Sequence, residues 1–126
     1  MTGMQVIENG RIVDSSAIVP ISTINDVTAS RSITGTYINN TGKTLYVIIA
    51  TKHQANANTS STASFRRFVD DVIVEKTKTG FSGFLNQINL QLFVTTFYVV
   101  PPGSTHLGDA QIQDGLIELL RWTEIY

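Results

Sequence analysis

Two histidines, His53 and His106, are the residues of this chain best suited to acid–base chemistry or metal binding. Neutral imidazole is a common metal ligand, and histidine titrates near neutral pH. Either role needs partners at a defined geometry, and Asp109 and Asp114 follow His106 closely in the sequence. Both histidines fall in segments predicted to be loops, where nearness in sequence does not fix geometry. We interpret them as solvated or hydrogen-bonded loop histidines, and His106 is the better candidate for a ligand contact.

A cluster of acidic residues, Asp70, Asp71 and Glu75, raises the possibility of paired carboxylates that act on one substrate atom. The surrounding residues favour a strand, in which successive side chains point to opposite faces of the sheet. On a strand, Asp70 and Asp71 could not reach the same atom. We therefore interpret the three carboxylates as solvated charges, paired with Arg66 or Arg67.

Other patterns of catalytic or binding residues are incomplete. Segment 109–115 is rich in oxygen ligands but lacks the alternating acidic positions and distal glutamate of a calcium loop. The sequence contains no nucleophile elbow and no phosphate-binding glycine loop. Arg66-Arg67 is too small a basic cluster for nucleic acid. The sequence therefore predicts a protein that is not an enzyme, with no catalytic residue, metal site, cofactor or nucleic-acid partner.

Composition is that of a folded single domain with an uncharged polar surface. The 126 residues suffice for one domain with a substantial core. Charged residues make up 15% of the chain, against about 25% in an average domain, so Ser, Thr, Asn and Gln supply much of the surface. A net charge of −1 and the lack of cysteine exclude a global attraction to nucleic acid, disulfides and thiolate metal sites. We expect neither a signal peptide nor a membrane-spanning segment.

Alternating apolar residues separated by turn signals predict strands along most of the chain. Asn9-Gly10 predicts a hairpin over residues 4–14. Gly42 marks a turn at 40–43, and Pro101-Pro102 ends a strand. Further strands are predicted at 32–39, 44–51, 65–75, 85–92, 95–100 and 116–126. Without a convincing helix, this pattern predicts an all-β fold: an antiparallel β-sandwich, jelly-roll-like, over residues 31–126, preceded by an arm or hairpin at 1–30.

Two polar segments without periodicity, 53–64 and 103–115, are predicted to be long exposed loops, and 76–80 is predicted to be a turn. Binding residues often lie on loops that a rigid scaffold positions. We therefore predict that ligand-binding residues come from these two loops. They are Asn56, Asn58, His106, Asp109, Gln111 and Gln113.

The aromatic residues divide into a predicted core set and a predicted surface set. Four of them lie on strongly apolar strands and are interpreted as core residues. These are Tyr46, Phe93, Phe97 and Trp122. Tyr37, Tyr98 and Tyr126 lie on alternate positions or at the end of the chain, and we expect them at the surface or in subunit contacts.

Three motifs in order resemble the C-terminal β-sandwich domains, or knobs, of tailed-bacteriophage tail fibres. Residues 37–47 match Tyr-x-Asn-x-Thr-Gly-(Lys/Arg)-x-(Ile/Leu)-x-Val, the first of these motifs. Phe97 and the run Val99-Val100-Pro101-Pro102-Gly103 match a strand that ends in Phe-x-Val-Pro-x-Gly, and Trp122 lies on the last strand. The resemblance covers about residues 31–126. It differs from the family in the short upstream segment of about thirty residues, where family members carry a long fibre.

The resemblance implies a non-enzymatic tail-tip or tail-fibre protein that recognises a host-cell surface receptor, a glycan or a protein, as a homotrimer. It also implies that the protein is made in the host cytoplasm and carried in the virion. Residues 1–30, which lie outside the resemblance, are predicted to contact other virion or tail proteins. Two alternatives stay open. One is a structural virion component, such as a tail, adaptor or decoration protein, with no receptor role. The other is a small carbohydrate-active enzyme, which needs two carboxylates facing each other across a cleft.

Overall fold

The structure of the protein, a computed structural model, describes residues 3–5, 13–15, 22–57, 59–81 and 91–126. Within these ranges the chain forms ten strands and one short 3-10 helix, η1, at Thr28–Ser30. The strands are β1 (Gly3–Gln5), β2 (Val13–Ser15), β3 (Ile24–Asp26), β4 (Thr36–Ile38), β5 (Leu45–Ala55), β6 (Ser61–Val69), β7 (Val72–Phe81), β8 (Gln91–Val100), β9 (Thr105–Gln113) and β10 (Gly115–Ile125). In this part of the chain, no helix is long and apolar enough to cross a membrane.

Eight of these strands build two antiparallel sheets that pack face to face. The first sheet has the order β3-β10-β5-β8, and the second has the order β4-β9-β6-β7. From β3 onward, every strand is followed by a strand of the opposite sheet, except in the β6–β7 hairpin. This is the strand order of a jelly roll. The predicted all-β sandwich is therefore confirmed.

The apolar core lies between the sheets at one end of the sandwich. Along β5 the buried positions alternate with partly exposed ones, as expected for a strand with one face on the core. Burial of each large apolar side chain in this layer stabilises the fold by about 1.5–3 kcal/mol. The core residues are Leu45, Val47, Ile49, Val69, Tyr98, Val100 and Trp122. Toward the other end, the buried positions carry polar residues such as Thr51, His53 and Ser61.

The prediction of long loops at 53–64 and 103–115 is wrong. β5 continues through His53 to Ala55, β6 begins at Ser61, and β9 occupies residues 105–113. Polar or small residues such as Ser61 and His106 occupy inward positions of these strands. The alternation of apolar residues that identifies a strand in a sequence is therefore missing.

The segment predicted as one strand over 65–75 is instead a hairpin, and the turn predicted at 76–80 is part of β7. Asp70 and Asp71 form the two-residue turn, with φ angles of 48° and 67°. A two-residue hairpin favours positive φ at both central positions, and aspartate tolerates this conformation better than most residues. The Asp70 carboxylate accepts hydrogen bonds from the Ser104 hydroxyl (2.6 Å) and the Thr105 N–H (3.0 Å). The two aspartates are thus turn residues rather than opposite faces of a strand.

Near the N-terminus, β1 and β2 pair antiparallel, as the predicted hairpin requires. Its Asn9-Gly10 turn lies outside the described residues, as does most of the predicted strand at 85–92. β3 is hydrogen-bonded to β10, and Val27 packs against the core. Part of the segment assigned to the N-terminal arm, residues 24–27, therefore belongs to the sandwich.

The division of aromatic residues is partly corrected. Trp122 is fully buried, as predicted, but Tyr46 (41% exposed), Phe97 (50%) and Phe93 (66%) lie on the outer face of the first sheet. Tyr98, predicted at the surface, is 3% exposed. Both faces of β8 are apolar, so the sequence does not indicate which one is buried.

Candidate functional site

A polar trough lies on the outer face of the second sheet. It has a volume of about 900 Å³. Its residues come from three neighbouring strands, with β6 between β7 and β9. The trough is lined by Thr62, Ala63, Ser64, Arg66, Lys76, Lys78, Gln111, Ile112 and Gln113.

Strand register arranges the outward side chains in rows across the trough. The first row is Lys76, Arg66 and Asp109, the second is Lys78, Ser64 and Gln111, and the third is Gly80, Thr62 and Gln113. The central strand carries the short side chains Ser64 and Thr62, whereas the flanking strands carry long lysine and glutamine side chains. This difference in length produces a depression along β6. Because it is built on hydrogen-bonded strands rather than loops, its side chains have fixed backbone positions.

Arg66 and Asp109 close one end of the trough as an ion pair. Arg66 Nε donates to Asp109 Oδ1 at 3.0 Å, and Nη2 donates to Oδ2. These hydrogen bonds raise the pKa of Arg66 and lower the pKa of Asp109. Both side chains are more than one third exposed, so water screens the pair and its contribution to stability is small. Its effect is to hold the guanidinium in place on the first row.

Some of the predicted binding residues lie in or beside the trough, and others lie elsewhere. Gln111 and Gln113 line it, and Asp109 borders it through Arg66. Asn56 lies elsewhere, in the turn after β5, where its N–H donates to the Asp114 carbonyl (2.9 Å). Asn58 is outside the described residues.

His106 was predicted on an exposed loop, and this is wrong: it lies on β9 and is 1% exposed. Its Nδ1 is 2.8 Å from the Tyr98 hydroxyl, which also receives a hydrogen bond from Arg67 Nη2 (2.9 Å). With the phenol oxygen accepting from Arg67, donation of its proton to His106 Nδ1, with the imidazole proton on Nε2, is the arrangement that satisfies both groups. Burial, together with the nearby Arg67 charge, lowers the pKa of His106 to about 4. Burial also raises the pKa of Tyr98 to about 12.

Arg67 is a buried cation between the sheets, and its neighbours replace part of its lost hydration. Its Nη1 donates to the Ile33 carbonyl, and its guanidinium lies over the rings of Tyr98 (5.2 Å) and Trp122 (5.0 Å). Gly108 is essential to this arrangement, because a Cβ there would lie 1.8 Å from Nη1. Arg67 Nε has no hydrogen-bond partner among the described residues.

His53 forms a second buried network that resembles a serine–histidine pair. Its Nε2 is 2.8 Å from Ser61 Oγ, and its Nδ1 is 2.6 Å from Thr79 Oγ1. Ser61 donates its own proton to the Gln113 carbonyl (2.8 Å), so it accepts from His53 rather than donating to it. A nucleophilic serine needs the opposite direction of proton transfer, as well as exposure to substrate. Ser61 and His53 are both buried, so this network holds strands together.

The outer face of the first sheet carries a group of exposed apolar side chains beside the ion pairs Lys52–Glu118 and Arg121–Asp26. Tyr46 of β5 and Phe97 of β8 stack with their ring centroids 6.4 Å apart. We call this surface the apolar face. It comprises Ile24, Tyr46, Phe93, Phe97, Val99 and Leu116. Apolar surfaces of this kind on soluble proteins commonly mark interaction sites.

Lys76, Lys78, Thr62 and Ser64 were not predicted as site residues. The signal was present, since Lys76-Thr77-Lys78-Thr79 alternates with period two, but it was interpreted as a turn. Within the described ranges, no three His, Asp or Glu residues gather in a way that could hold a metal ion. Comparison with models of known protein families and with curated proteins gives no match to this chain.

Proposed function

We propose that this chain is a non-enzymatic tail-tip or tail-fibre protein of a tailed bacteriophage, and that its trough binds a glycan on the host-cell surface. The observation that carries the proposal is the trough itself, an open polar depression on rigid strands. Among the described residues, none of the side chains of Ser64, Gln111 and Gln113 has a hydrogen-bond partner. Hydroxyl and amide groups of this kind pair with sugar hydroxyls.

The apolar face supports the second part of the proposal, assembly with further copies of the chain as a homotrimer. It lies on the opposite side of the sandwich from the trough. Subunit contacts there would cover exposed aromatic side chains such as Phe93 and Phe97 and leave the trough open to solvent. The phage origin and the trimer are supported by the sequence resemblance, which covers residues 31–126, and we propose residues 1–30 as the segment that contacts other tail proteins.

The test fills the trough without changing its charge. Ser64→Tyr places a large side chain on the central row, and a strand accommodates tyrosine well. Thr36→Tyr is the matched control, because Thr36 is exposed on β4, on the outer face of the same sheet but outside the trough. We expect Ser64→Tyr to abolish binding of the purified protein to host cells and its competition with phage particles. We expect Thr36→Tyr to retain both.

A structural virion component is the second candidate, and the apolar face is the observation that favours it. That face would then dock on another virion protein, and the trough would have no receptor. Deletion of residues 1–21, which leaves β3 intact, separates the candidates. Loss of particle assembly with retained cell binding supports the receptor binder, whereas loss of assembly with no cell binding by any form supports the structural component.

A further inference from the structure

We propose that the trough binds an acidic saccharide, which bears carboxylate or sulfate groups, more tightly than a neutral one. Lys76 and Lys78 are the residues that bind these acidic groups. This inference rests on the proposed function, because it specifies the ligand of the same trough. It depends on the charges, the strand register and the chemistry of the lining.

The trough has an excess of positive charge in a chain whose net charge is −1. Three cationic side chains, Arg66, Lys76 and Lys78, line it. Asp109 neutralises only Arg66. Among the described residues, neither lysine has a carboxylate partner, so two positive charges face solvent without compensation.

The strand register concentrates these charges. Arg66 of β6 is the direct cross-strand partner of Lys76, and Lys78 lies two residues farther along β7 on the same face. Like charges directly opposite each other on neighbouring strands destabilise a sheet. Because Asp109 pairs with Arg66, the two lysines are, among the described lining residues, the cations left free to attract an anionic ligand. β7 is an edge strand, where lysines also discourage pairing with other chains, so these charges support an anionic ligand only together with the polar lining beside them.

The remaining lining favours a saccharide over a nucleic acid. Beside the lysines lie the hydroxyls of Thr62 and Ser64 and the amides of Gln111 and Gln113, which suit a polyhydroxylated ligand. Single-stranded nucleic acids are usually held by aromatic side chains on which the bases stack. None of the residues that line the trough is aromatic. Acidic groups on a sugar chain can thus meet the lysines while its hydroxyls meet the other rows.

The experiment measures binding of the full chain to four polymers by calorimetry. Polygalacturonate supplies carboxylates, dextran sulfate supplies sulfates, dextran is neutral, and an oligothymidylate represents nucleic acid. Lys76→Gln/Lys78→Gln removes the two lysine charges. The matched control is Lys43→Gln/Arg121→Gln, which removes two positive charges from exposed positions outside the trough.

We expect the wild-type chain to bind at least one acidic polysaccharide and not dextran. The lysine variant should lose roughly tenfold in affinity, as two screened ion pairs imply, and the control variant should bind like the wild type. The carboxylate and sulfate arms then identify the acidic group. Equal losses in the two variants, tighter binding of oligothymidylate, equal binding of dextran, or no binding of either acidic polymer would each overturn the inference.

Failure of this inference is distinguishable from failure of the proposed function. If Ser64→Tyr abolishes cell binding while Lys76→Gln/Lys78→Gln leaves it intact, the trough binds a glycan and its affinity does not depend on acidic groups of that glycan. If Ser64→Tyr also leaves cell binding intact, the trough is not the receptor site.

Discussion

Asn39 Nδ2 lies 2.9 Å from the carbonyl oxygen of Val100, 61 residues away in the sequence, and joins two turns. Its two amide hydrogens are shared among this carbonyl and those of Lys43 (2.8 Å) and Pro101 (3.1 Å), while its Oδ1 accepts from the N–H and hydroxyl of Thr41. One buried side chain thus provides hydrogen-bond partners for backbone groups of both the Asn-Thr-Gly-Lys turn and the Val-Pro-Pro-Gly turn. This explains why the two motifs occur together in this chain: each turn supplies partners for the same amide.

Asn39→Ala should destabilise the fold substantially. The substitution leaves buried carbonyls and the Thr41 N–H without partners, and we expect a loss of about 3 kcal/mol in the free energy of unfolding. Asn39→Asp keeps the shape and the acceptor but removes both donors, so it should lose about as much. Asn40→Ala, at the exposed neighbouring position, is the control. Denaturant titration followed by Trp122 fluorescence measures all three, and a loss below 1 kcal/mol for Asn39→Ala would contradict the interpretation.

Tyr98→Phe should measure how much the buried hydrogen bonds among Arg67, Tyr98 and His106 contribute to the free energy of unfolding. The variant keeps the ring that packs under the guanidinium but removes the hydroxyl that joins the two other groups. We expect a loss of about 1–3 kcal/mol, since two buried polar groups each lose a partner. Tyr37→Phe is the comparison, because the Tyr37 hydroxyl accepts a solvent-exposed hydrogen bond from the Ser32 N–H. A larger loss in the free energy of unfolding for Tyr37→Phe than for Tyr98→Phe would contradict a major contribution of the buried hydrogen bonds to stability.

Stability should fall as the pH is lowered from about 6.5 to about 4. His106 has its pKa lowered from 6.5 to about 4 in the folded protein, and burial also lowers the pKa of His53. In this window the unfolded chain binds protons that the folded chain does not, so acidification favours unfolding. For His106 the full effect is roughly 3 kcal/mol.

The control for this pH dependence is His106→Gln. It should flatten the decline between pH 6.5 and 4, whatever its effect on stability at neutral pH. The carboxylates of Asp26, Asp70 and Asp109 have pKa values lowered below 3.8 by their hydrogen bonds, so their contribution is lost only at lower pH. An unchanged slope in the variant, measured by urea titration at each pH, would show that His106 is not a source of the decline.

The apolar face should control self-association. Phe93→Ser/Phe97→Ser removes its two most exposed aromatic side chains. Sedimentation velocity should show a shift from trimer toward monomer, with little change in melting temperature, because neither ring is buried in the core. Val72→Ser/Ile73→Ser removes two exposed apolar side chains from the second sheet and should leave the association unchanged. A wild-type chain that sediments as a monomer at micromolar concentration would contradict the proposed assembly.

The sequence predicts the all-β class and its strongest strands because β5 and β10 combine β-branched and apolar residues with clear turn signals. It fails at β6 and β9 for a physical reason. The inward positions of these strands carry Ser61, Arg67, His106 and Gly108, whose burial depends on partners from other strands. The trough was missed for the same reason, since its rows exist only once β6, β7 and β9 are paired. The spacing of residues in the sequence shows which side chains of a strand share a face, but it does not show which residues of neighbouring strands pair.

The β6–β7 turn offers a matched pair of substitutions, because Asp70 and Asp71 share positive φ angles but differ in their side-chain contacts. Asp71→Gly removes a Cβ from a left-handed position, so it should leave stability unchanged or raise it by up to about 1 kcal/mol. Asp70→Gly relieves the same conformation but also removes the acceptor for Ser104 and Thr105, so it should be destabilising. Equal effects of the two substitutions in urea titration would show that the turn is held by backbone conformation alone. A selective loss in Asp70→Gly would show that this carboxylate anchors the hairpin to the start of β9, and therefore helps to fix the register on which the trough depends.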